Sequence, residues 1–378
     1  MSKPHKLTIA QIIPSLNAGG AERAVVDIAA ATVTAGHRAI VVSKGGYYQA
    51  ELQAKQAKFI KRNVDTKNPL LIILNAFWLA ALIKQEGVDI IHARSRAPAW
   101  SAYLAALMTA TPFVTTFHAA YKGNLFLKKM YNGVMAKGRR IIAISEFIAE
   151  HIRTNYGVPA SRIAIVPRGI DMSVYDQANI SDERKQKLQN LWNNNTDVPV
   201  IIMPGRLSPI KGHELVIEAL AAIKERSFIC VFIGPDQGRS KYSEMLRRLV
   251  DENGLSDKIK WMDGGDVPAA YALASLVLSP SQVPEGFGRV PVEAQAMGVP
   301  VIATALGATS ETILNGETGW LVDLGSAPAI CHAIVQCLNL TPQERDTMSQ
   351  KAKDYVRSKF QLQQMCDATI KVYEEVAK

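Results

Sequence analysis

Two basic side chains stand five positions apart in residues 205–212 (GRLSPIKG), directly after an apolar, strand-like run. A guanidinium offers a planar fork of donors and an ammonium offers a point charge, so the pair suits a ligand with several negative charges. Arg206 and Lys211 are therefore predicted to neutralise a departing diphosphate. The glycine and lysine spacing is not that of a Walker loop, and two solvated surface cations are the alternative.

Two carboxylates frame a second loop, residues 284–296 (PEGFGRVPVEAQA), in which Gly286 and Gly288 precede a predicted helix. Carboxylate oxygens accept hydrogen bonds from pairs of sugar hydroxyls. Glu285, in the loop, is predicted to hold hydroxyls of a sugar, and Glu293, inside the helix, the diol of a ribose. The alternatives are an acid that favours the helix N-terminus and an ordinary surface charge.

A third candidate is the turn at residues 14–22, where Gly19 and Gly20 join the first strand-like run to the first helical pattern. Glycine lets a ligand approach the backbone closely, and the first N–H groups of a helix favour an anion. The turn lacks the G-x-G-x-x-G fingerprint of dinucleotide-binding proteins, and a plain strand-to-helix turn is the alternative.

Arg94 and Arg96 flank Ser95 after the strand-like run at residues 89–93. Ligands of doubly wound sheets bind outside the carboxyl ends of the strands, so both arginines are placed to meet an anion. We expect that anion to be a phosphate or a sugar acid on an acceptor. Exposed cations without a ligand are the alternative.

These candidates need elements that bring many strand ends together. Short apolar runs alternate with helical patterns in both halves of the chain, which is typical of βαβ units and of parallel sheets buried on both faces. The polar residues 171–197 separate the halves and are the best linker candidate. The sequence thus predicts an α/β fold with two Rossmann-like, doubly wound domains. Predicted strands cover residues 7–14, 38–43, 58–62, 89–93, 112–118, 139–145 and 163–168, then 198–204, 227–234, 258–262, 276–279, 300–303 and 320–322.

Charge narrows the choice of partners. The chain has 43 basic and 34 acidic residues, of which the first 170 positions hold 22 basic and 8 acidic ones. A positive surplus confined to one half favours an acidic acceptor or an anionic membrane surface there. We expect no nucleic-acid partner, because no nucleic-acid motif accompanies the charge. The four cysteines form no C-x-x-C pair and are interpreted as buried, reduced thiols.

No secretory signal precedes the first strand-like run, and the most apolar stretch, residues 70–83, is shorter than the roughly 20 residues that span a bilayer. We expect that stretch to be a buried crossover helix and the protein to be cytoplasmic. Residues 121–140 mix large apolar with basic side chains, which favours a peripheral position at the inner face of the cytoplasmic membrane. A helix that covers the sheet is the alternative.

With these motifs in place, the chain resembles the retaining glycosyltransferases of family 4, which have the GT-B fold, over almost its whole length. The resemblance rests on Gly19-Gly20, on Gly205-Arg206 with Lys211-Gly212, on Glu285-Gly286-Phe287-Gly288, and on the seven residues between Glu285 and Glu293. It implies an acceptor-side domain at residues 1–175 and a nucleotide-sugar donor domain at 196–357, facing each other across a cleft. A final helix, residues 358–378, would pack back on the first domain.

The resemblance also implies roles for single residues. It implies that the donor diphosphate is contacted by Gly19, Gly20, Arg206 and Lys211. It implies that the donor sugar is contacted by Glu285, Phe287 and Gly288, and the ribose by Glu293. His118 ends a strand and would lie near the reaction centre, where it polarises the donor or contacts the acceptor; a core histidine is the alternative. The predicted catalytic residues are therefore His118, Arg206, Lys211 and Glu285.

Two segments depart from the family's usual pattern. Arg168 stands where asparagine usually begins the motif Arg168-Gly169-Ile170-Asp171, and Gly307-Ala308 stands where two glycines are common. The stretch around Arg94, with His118, is similar to bacterial lipopolysaccharide-core mannosyltransferases. The expected reaction is transfer of a hexose, with retention, from a nucleotide diphosphate sugar to an anionic glycolipid or polysaccharide acceptor of the cell envelope.

We expect neither a metal nor another cofactor, because no Asp-x-Asp segment is present and Asp263 and Asp266 have no neighbouring histidine. Cations and helix N-termini would then stabilise the charge of the leaving group. A glycoside hydrolase, which also uses two carboxylates, a sugar-nucleotide epimerase and a non-catalytic carbohydrate-binding protein stay open as other classes. The missing G-x-G-x-x-G disfavours a Rossmann oxidoreductase.

Overall fold

The structure is a computed structural model that describes residues 6–17, 19–121, 126–194 and 198–378. The chain forms two compact units, the first made of Met1–Gly169 with Leu362–Lys378 and the second of Ile170–Gln361. Each unit contains one parallel sheet with helices packed against it. The predicted α/β class with two doubly wound sheets is confirmed.

The first unit has seven parallel strands. They are β1 (Thr8–Ile12), β2 (Arg38–Ser43), β3 (Lys58–Lys61), β4 (Ile90–Ala93), β5 (Phe113–Phe117), β6 (Arg140–Ala143) and β7 (Ile163–Ile165). Their order is β3-β2-β1-β4-β5-β6-β7, so the order reverses between β1 and β4. Every residue of β1, β4 and β5 is buried, so these strands are mostly apolar without an alternating polar face. Ligands of such a sheet bind at the carboxyl ends of the strands beside this reversal.

Six helices connect these strands, with 3-10 turns at Val134–Lys137 and Ala160–Arg162. They are α1 (Gly20–Thr34), α2 (Gln49–Ala54), α3 (Pro69–Glu86), α4 (Arg96–Thr109), α5 (Phe126–Gly133) and α6 (Glu146–Tyr156). The Ser145 hydroxyl begins α6 by accepting the Ile148 N–H at 3.1 Å, and Gly157 ends it with φ 63°. The amphipathic segment predicted at residues 121–140 includes α5; residues 122–125 lie outside the described residues.

Helix α3 is the predicted crossover helix, but it is only partly buried. Asn68 caps its start, and it packs along α4. Its 18 residues are apolar on all sides, and among the described residues it is the one helix long and apolar enough, by length and composition, to cross a membrane. Leu70, Leu74 and Phe77 are 71%, 58% and 61% exposed, because the helix is apolar beyond the face that it buries.

The second unit has six parallel strands. They are β8 (Val200–Pro204), β9 (Ile229–Ile233), β10 (Ile259–Met262), β11 (Leu276–Ser279), β12 (Val301–Thr304) and β13 (Gly319–Val322), in the order β10-β9-β8-β11-β12-β13. The helices are α7 (Asp182–Trp192), α8 (His213–Ala221), α9 (Ser240–Glu252), α10 (Val267–Leu273), α11 (Arg289–Ala296), α12 (Thr309–Thr312), α13 (Ala327–Leu338) and α14 (Pro342–Lys359), with 3-10 turns at Gln177–Asn179 and Pro209–Lys211. Two apolar cores form, one on each face of this sheet.

The stretch predicted as a linker contains α7. Leu188 and Trp192 of this helix are buried in the core of the second unit, where they pack with Tyr271. Arg184 anchors the same helix through an ion pair with Asp266, at 2.6 Å. Asn194 is also buried, and Asn195 lies outside the described residues.

The chain after Thr341 forms two helices. Thr341 and Glu344 form a capping box at the start of α14, and Phe360 ends this helix by packing edge-on against Phe287, with ring centroids 5.4 Å apart. The last helix, α15 (Leu362–Ala377), belongs to the first unit. It packs against α1, with Tyr373 fully buried.

Candidate functional site

The strongest candidate in the second unit is a cluster at the carboxyl ends of β8 and β11. Lys211 follows β8, and its Nζ lies 2.5 Å from Oε1 of Glu285, which follows β11. The Ser281 hydroxyl donates to the same carboxylate oxygen and lies 3.5 Å from the lysine. The loops can approach because Gly212 has φ 79° and a Cβ there would lie 2.4 Å from the carbonyl oxygen of Pro280.

The electrostatics of this cluster keep Glu285 ionised. Burial opposes the charge of Glu285, but the ammonium of Lys211 and the hydroxyl of Ser281 outweigh it, so its pKa lies below the usual range. Arg206 adds a smaller effect of the same sign, which places its charge near this carboxylate. The structure thus brings the predicted residues Arg206, Lys211 and Glu285 together.

Arg206 differs from Lys211 in being exposed. Its guanidinium donates to the amide oxygen of Gln237 at 3.2 Å, and among the described residues no carboxylate lies within 4 Å of it. Since a neutral amide does not compensate its charge, the guanidinium can pair with an anionic ligand without first breaking an ion pair.

The loop after β12 contacts the backbone of Glu285. Gly307 forms a bridge with Glu285, and the Ala308 N–H donates to the Glu285 carbonyl at 3.0 Å. Gly307 has φ 70°, and a Cβ there would lie 2.6 Å from that carbonyl oxygen. The glycine that the sequence retains at this position therefore fixes the backbone of Glu285.

Glu293 belongs to a different cluster. It lies on α11, is 7% exposed, and accepts hydrogen bonds from Arg289 Nε at 3.0 Å and from the Tyr271 hydroxyl at 3.2 Å. Burial and the neighbouring carboxylate raise the pKa of both Tyr271 and Tyr175, which keeps them protonated as donors. The surface-charge alternative for Glu293 does not fit this burial; its ribose contact stays a prediction.

Phe287 and Gly288 shape the start of α11. The Phe287 ring is 5% exposed and packs on Phe360, so this residue can meet a ligand through its backbone. Gly288 precedes the helix with φ 82°, where no side chain caps the first N–H groups. The donor-sugar contact of the pair stays a prediction.

In the first unit, Gly19 precedes α1 and no side chain forms a capping hydrogen bond there, but the Glu22 carboxylate lies beside it, with Oε2 2.2 Å from where a Cβ of Gly19 would be. Arg168 comes from the end of the unit's first segment and donates to the Gly20 carbonyl oxygen. Its other terminal nitrogen lies 3.3 Å from Nδ1 of His118. Ala18, inside the predicted turn, lies outside the described residues.

Arg94 and His118 meet at the carboxyl ends of β4 and β5. Burial, Arg94 and Arg168 together hold the pKa of His118 well below its usual range, so the ring is neutral. Arg94 is 3% exposed and lies 3.5 Å from the Thr116 hydroxyl. Its Nε and His118 Nε2 are buried without a hydrogen-bond partner in the structure.

Arg96 has other surroundings than Arg94. Its guanidinium stacks over the ring of Tyr121, 4.4 Å from the centroid, and donates to Asn132 Oδ1 at 3.0 Å. Both partners are uncharged. The two arginines that the sequence predicts as acceptor contacts therefore have different partners in the protein, and their acceptor role stays a prediction.

No group of three or more histidine, cysteine, aspartate or glutamate side chains gathers among the described residues in a way that could hold a metal ion. Asp266 instead caps α10 and pairs with Arg184. All four cysteines are free, and Cys230, Cys337 and Cys366 are buried.

Several members of these clusters carried no signal in the sequence. Ser281, Tyr271 and Arg289 are ordinary residues in helices or loops, and only the folded chain brings them to the carboxylates. Arg168 could be noticed in the sequence, because it replaces the asparagine that usually begins the family's motif at residues 168–171. Such a replacement indicates that the contacts at this position differ from those usual in the family.

Comparison with known proteins agrees with this geometry. Residues 18–174 match the model for Glycosyltransferase Family 4, and residues 184–355 match the model for Glycosyl transferases group 1. A glycosyltransferase from Rickettsia africae is 35% identical, covers 99% of both chains and superposes with a TM-score of 0.92. The chain therefore belongs to the GT-B glycosyltransferases that join a family 4 domain to a group 1 domain.

Other relatives are more distant. A D-inositol 3-phosphate glycosyltransferase from Corynebacterium glutamicum is 30% identical over 211 residues, 54% of this chain and 50% of that protein. A lipopolysaccharide 1,2-N-acetylglucosaminetransferase from Salmonella typhimurium is 32% identical over 231 residues, 58% of each protein. The chain thus spans about half the length of the curated relatives it matches. The Anabaena protein HepE, crystallised with UDP and glucose, is 24% identical, covers 97% and 99% of the two chains and has a TM-score of 0.82.

Proposed function

We propose that this protein transfers a sugar from a nucleotide diphosphate sugar to an acceptor. The observation that carries the proposal is the cluster in the second unit, where the exposed guanidinium of Arg206 stands near the Lys211–Glu285 pair. A hydrolase would use the carboxylates but would give Arg206 no role, since its substrate has no diphosphate. A sugar-nucleotide epimerase would bind the diphosphate but would need no acceptor. The family membership supports the same reading.

In this proposal, Arg206 and Lys211 balance the negative charge that grows on the diphosphate as the glycosidic bond breaks. Glu285 has two oxygens, of which one is held by Lys211 and Ser281 and the other is left to accept from a sugar hydroxyl. Because Lys211 is already held by Glu285, little reorganisation accompanies the reaction. Glu293 would hold the ribose through the same chemistry.

The finer substrate assignment is a hexose donor and an anionic glycolipid or polysaccharide acceptor of the cell envelope, with retention of configuration. One relative acts on lipopolysaccharide by its name, and a fold neighbour was crystallised with UDP and glucose. A lipopolysaccharide-core mannosyltransferase is the specific candidate. The anomeric proton signals of the product, followed by NMR from the first minutes of reaction, would test retention.

The experiment that tests the transferase itself is a panel of UDP- and GDP-linked hexoses in thermal unfolding, followed by nucleoside diphosphate release with candidate acceptors. A ligand that binds the native state raises the unfolding temperature. We expect one nucleotide sugar to do so, and diphosphate release to depend on the acceptor. Absence of binding by every nucleoside diphosphate and nucleotide sugar would contradict the proposal, and acceptor-independent sugar release would favour a hydrolase.

We also propose that the first unit lies against the inner, anionic face of the cytoplasmic membrane. The exposed apolar face of α3 and the exposed Leu127 and Met130 of α5 would insert among the headgroups. Lys128 and Lys129, exposed on α5, supply charge of the right sign. Such a position would bring the enzyme to a lipid-linked acceptor.

A further inference from the structure

A path of buried polar side chains links the last helix, α15, to the end of β4. His92, in β4, is fully buried, and its ring nitrogens lie 2.7 Å from the Tyr373 hydroxyl and 2.8 Å from the Thr116 hydroxyl. Tyr373 belongs to α15 and Thr116 to β5. The Thr116 oxygen also accepts a hydrogen bond from the Arg94 guanidinium, at 3.5 Å. Four side chains that are each buried thus form one continuous path.

Apolar packing alone does not account for Tyr373. Its ring lies in the core of the first unit with Met365 and Val372, where a phenylalanine would fill nearly the same space. A buried hydroxyl costs free energy unless it has a hydrogen-bond partner. The partner here is His92, whose ring packs edge-on against that of Tyr373, with the ring centroids 5.6 Å apart. The Tyr373 hydroxyl therefore acts on His92 rather than on the apolar core.

The charge state of the path gives it a direction. Burial, with Arg94 nearby, holds the pKa of His92 well below its usual range, and burial raises the pKa of Tyr373, so both side chains are neutral. Arginine only donates hydrogen bonds, so among the described residues the hydroxyl proton of Thr116 has His92 Nε2 as its acceptor. The positive charge favours this arrangement, because each donor in the path then points away from it. The imidazole proton is therefore on Nδ1, and the Tyr373 oxygen accepts it.

Arg94 depends on this path for its position. Within the described part of the chain, Thr116 is the one side chain that hydrogen-bonds to its guanidinium, and 3.5 Å is at the long end for such a bond. Tyr373 and Cys366 of α15 are also among the groups that act on the charge of Arg94, which places this helix beside the guanidinium. A displacement of Thr116 or of α15 would therefore move Arg94.

We propose that Tyr373 positions the Arg94 guanidinium through His92 and Thr116, so that the last helix is part of the acceptor-side site. Tyr373 and His92 are positioning residues, since both are fully buried and neither can touch a substrate. The words acceptor-side site rest on the proposed function; the coupling of Tyr373 to Arg94 does not.

The first test is nitrogen NMR of the full chain, labelled with ¹⁵N in its histidine rings, with His92 assigned by comparison with His92→Gln. We expect the proton on Nδ1 in the unmodified protein. Arg94→Gln should shift it towards Nε2, because the charge that sets the direction is gone, and Tyr373→Phe should do the same, because the acceptor of Nδ1–H is gone. A proton on Nε2 in the unmodified protein, or an unchanged tautomer in Arg94→Gln, would overturn the proposal.

Thr369→Val is the matched control on the same helix. Thr369 is 1% exposed, and its hydroxyl donates to the Met365 carbonyl oxygen at 2.8 Å, so this variant removes a buried hydroxyl of α15 that does not belong to the path. We expect the His92 tautomer of this variant to be that of the unmodified protein. A tautomer change as large as in Tyr373→Phe would mean that any disturbance of α15 has the same effect.

The second test is transfer from GDP-mannose to lipopolysaccharide that lacks its outer sugars, followed by release of GDP. Tyr373→Phe should lower kcat/KM for the acceptor by up to about 100-fold, the cost of a misplacement of about 1 Å, and leave the KM for GDP-mannose unchanged. In the Arg94→Gln background, Tyr373→Phe should cause no further loss, because both changes act through the same guanidinium. An equal further loss in that background would show that Tyr373 acts elsewhere. Thr369→Val should keep the unmodified rate.

A second substitution covers the case in which Tyr373→Phe does not fold. Thr116→Val interrupts the path next to Arg94 with a side chain of similar shape, and we expect the same loss of acceptor kcat/KM, again absent in the Arg94→Gln background. An unchanged rate in Thr116→Val would refute the positioning role. If the unmodified protein transfers no sugar with any nucleotide sugar, the proposed function is contradicted, and the His92 tautomer alone decides whether Tyr373 and Arg94 are coupled.

Discussion

The two units differ in whether the cations at their candidate sites are paired with a carboxylate. In the second unit, Lys211 and Arg289 are each paired with a carboxylate, at 2.5 and 2.8 Å. In the first unit, Arg94 lies against a neutral histidine and a threonine hydroxyl. A paired cation is held in position before any ligand arrives, whereas an unpaired one keeps its full charge for the ligand and destabilises the empty site. Arg206 is a third case, because its guanidinium is exposed and its hydrogen-bond partner, Gln237, is uncharged.

The largest effect should come from Arg206→Ala. Because this side chain is exposed and its bond to the protein goes to Gln237, the variant should fold normally. Loss of one preorganised donor to a developing charge costs about 10²- to 10³-fold in kcat. The measurement is nucleoside diphosphate release under saturating donor. Arg239→Ala removes an exposed arginine beside the same glutamine and should retain activity; equal activity of both variants would remove Arg206 from the diphosphate site.

The ion pair between Lys211 and Glu285 can be removed by substitution. Lys211→Met leaves Glu285, whose side chain is 19% exposed, without its partner, and the free energy of unfolding should fall by about 3 kcal/mol, the lower end for a buried pair. Lys211→Met combined with Glu285→Gln removes both charges and should recover most of that loss. Urea unfolding of the single and double variants measures the coupling. A double variant no more stable than Lys211→Met would show that the pair is not what holds this loop.

Each unit also buries a neutral histidine near its cations, and the one in the second unit gives a pH dependence. Burial, with Lys211 nearby, lowers the pKa of His213 to about 4, against an ordinary value of 6.5. Between these values the unfolded chain binds more protons than the folded one, so stability falls as the pH falls from 6.5 towards 4. His213 should contribute about 1.4 kcal/mol per pH unit to this slope.

His213→Leu should flatten this part of the stability curve, measured by urea unfolding at several pH values between 4 and 7. His332→Leu, at an exposed position, should leave the slope unchanged. A curve for His213→Leu as steep as that of the unmodified protein would mean that other groups cause the loss in acid.

The smallest effect should be on membrane binding, which we expect to depend on exposed apolar residues of the first unit and not on those of the second. Replacing Leu74 and Phe77 of α3 with serine should weaken binding to vesicles of phosphatidylglycerol roughly fivefold, since part of the apolar area no longer enters the membrane. Leu191 and Leu324 of the second unit are 63% and 54% exposed and serve as the matched pair for serine replacement. Cosedimentation measures the binding; equal losses for the two pairs would contradict a membrane face on the first unit.

Much of the fold could be predicted from the sequence. All thirteen strands were predicted, most of them because a strand buried on both faces is largely apolar, and such a run is visible without knowledge of its neighbours. The short helices α2, α10 and α12 have four to seven residues, which is too little periodicity to recognise in a sequence. The end of α14 at Phe360 depends on the contact with Phe287, which lies far away along the chain.

The candidate sites could likewise be predicted from the sequence only in part. Arg206, Lys211 and Glu285 were visible because charged residues beside glycines at strand ends are unusual in a structural loop, and Glu293 was visible through its spacing from Glu285. The sequence could not show that Ser281 completes the Glu285 cluster, that Gly307 supports it, or that Arg96 stacks on Tyr121. Each of these facts is a contact between segments that different strands carry.

The amino-acid sequence by itself determined where the chain forms strands and helices and which loops carry charge, because hydrophobic pattern and residue chemistry are local properties. Only the tertiary structure decided which charges are paired, which are buried and which meet at one end of a sheet. Burial and pairing depend on distances of a few ångströms between segments far apart in sequence, and these distances set the pKa values and the charge left for a ligand.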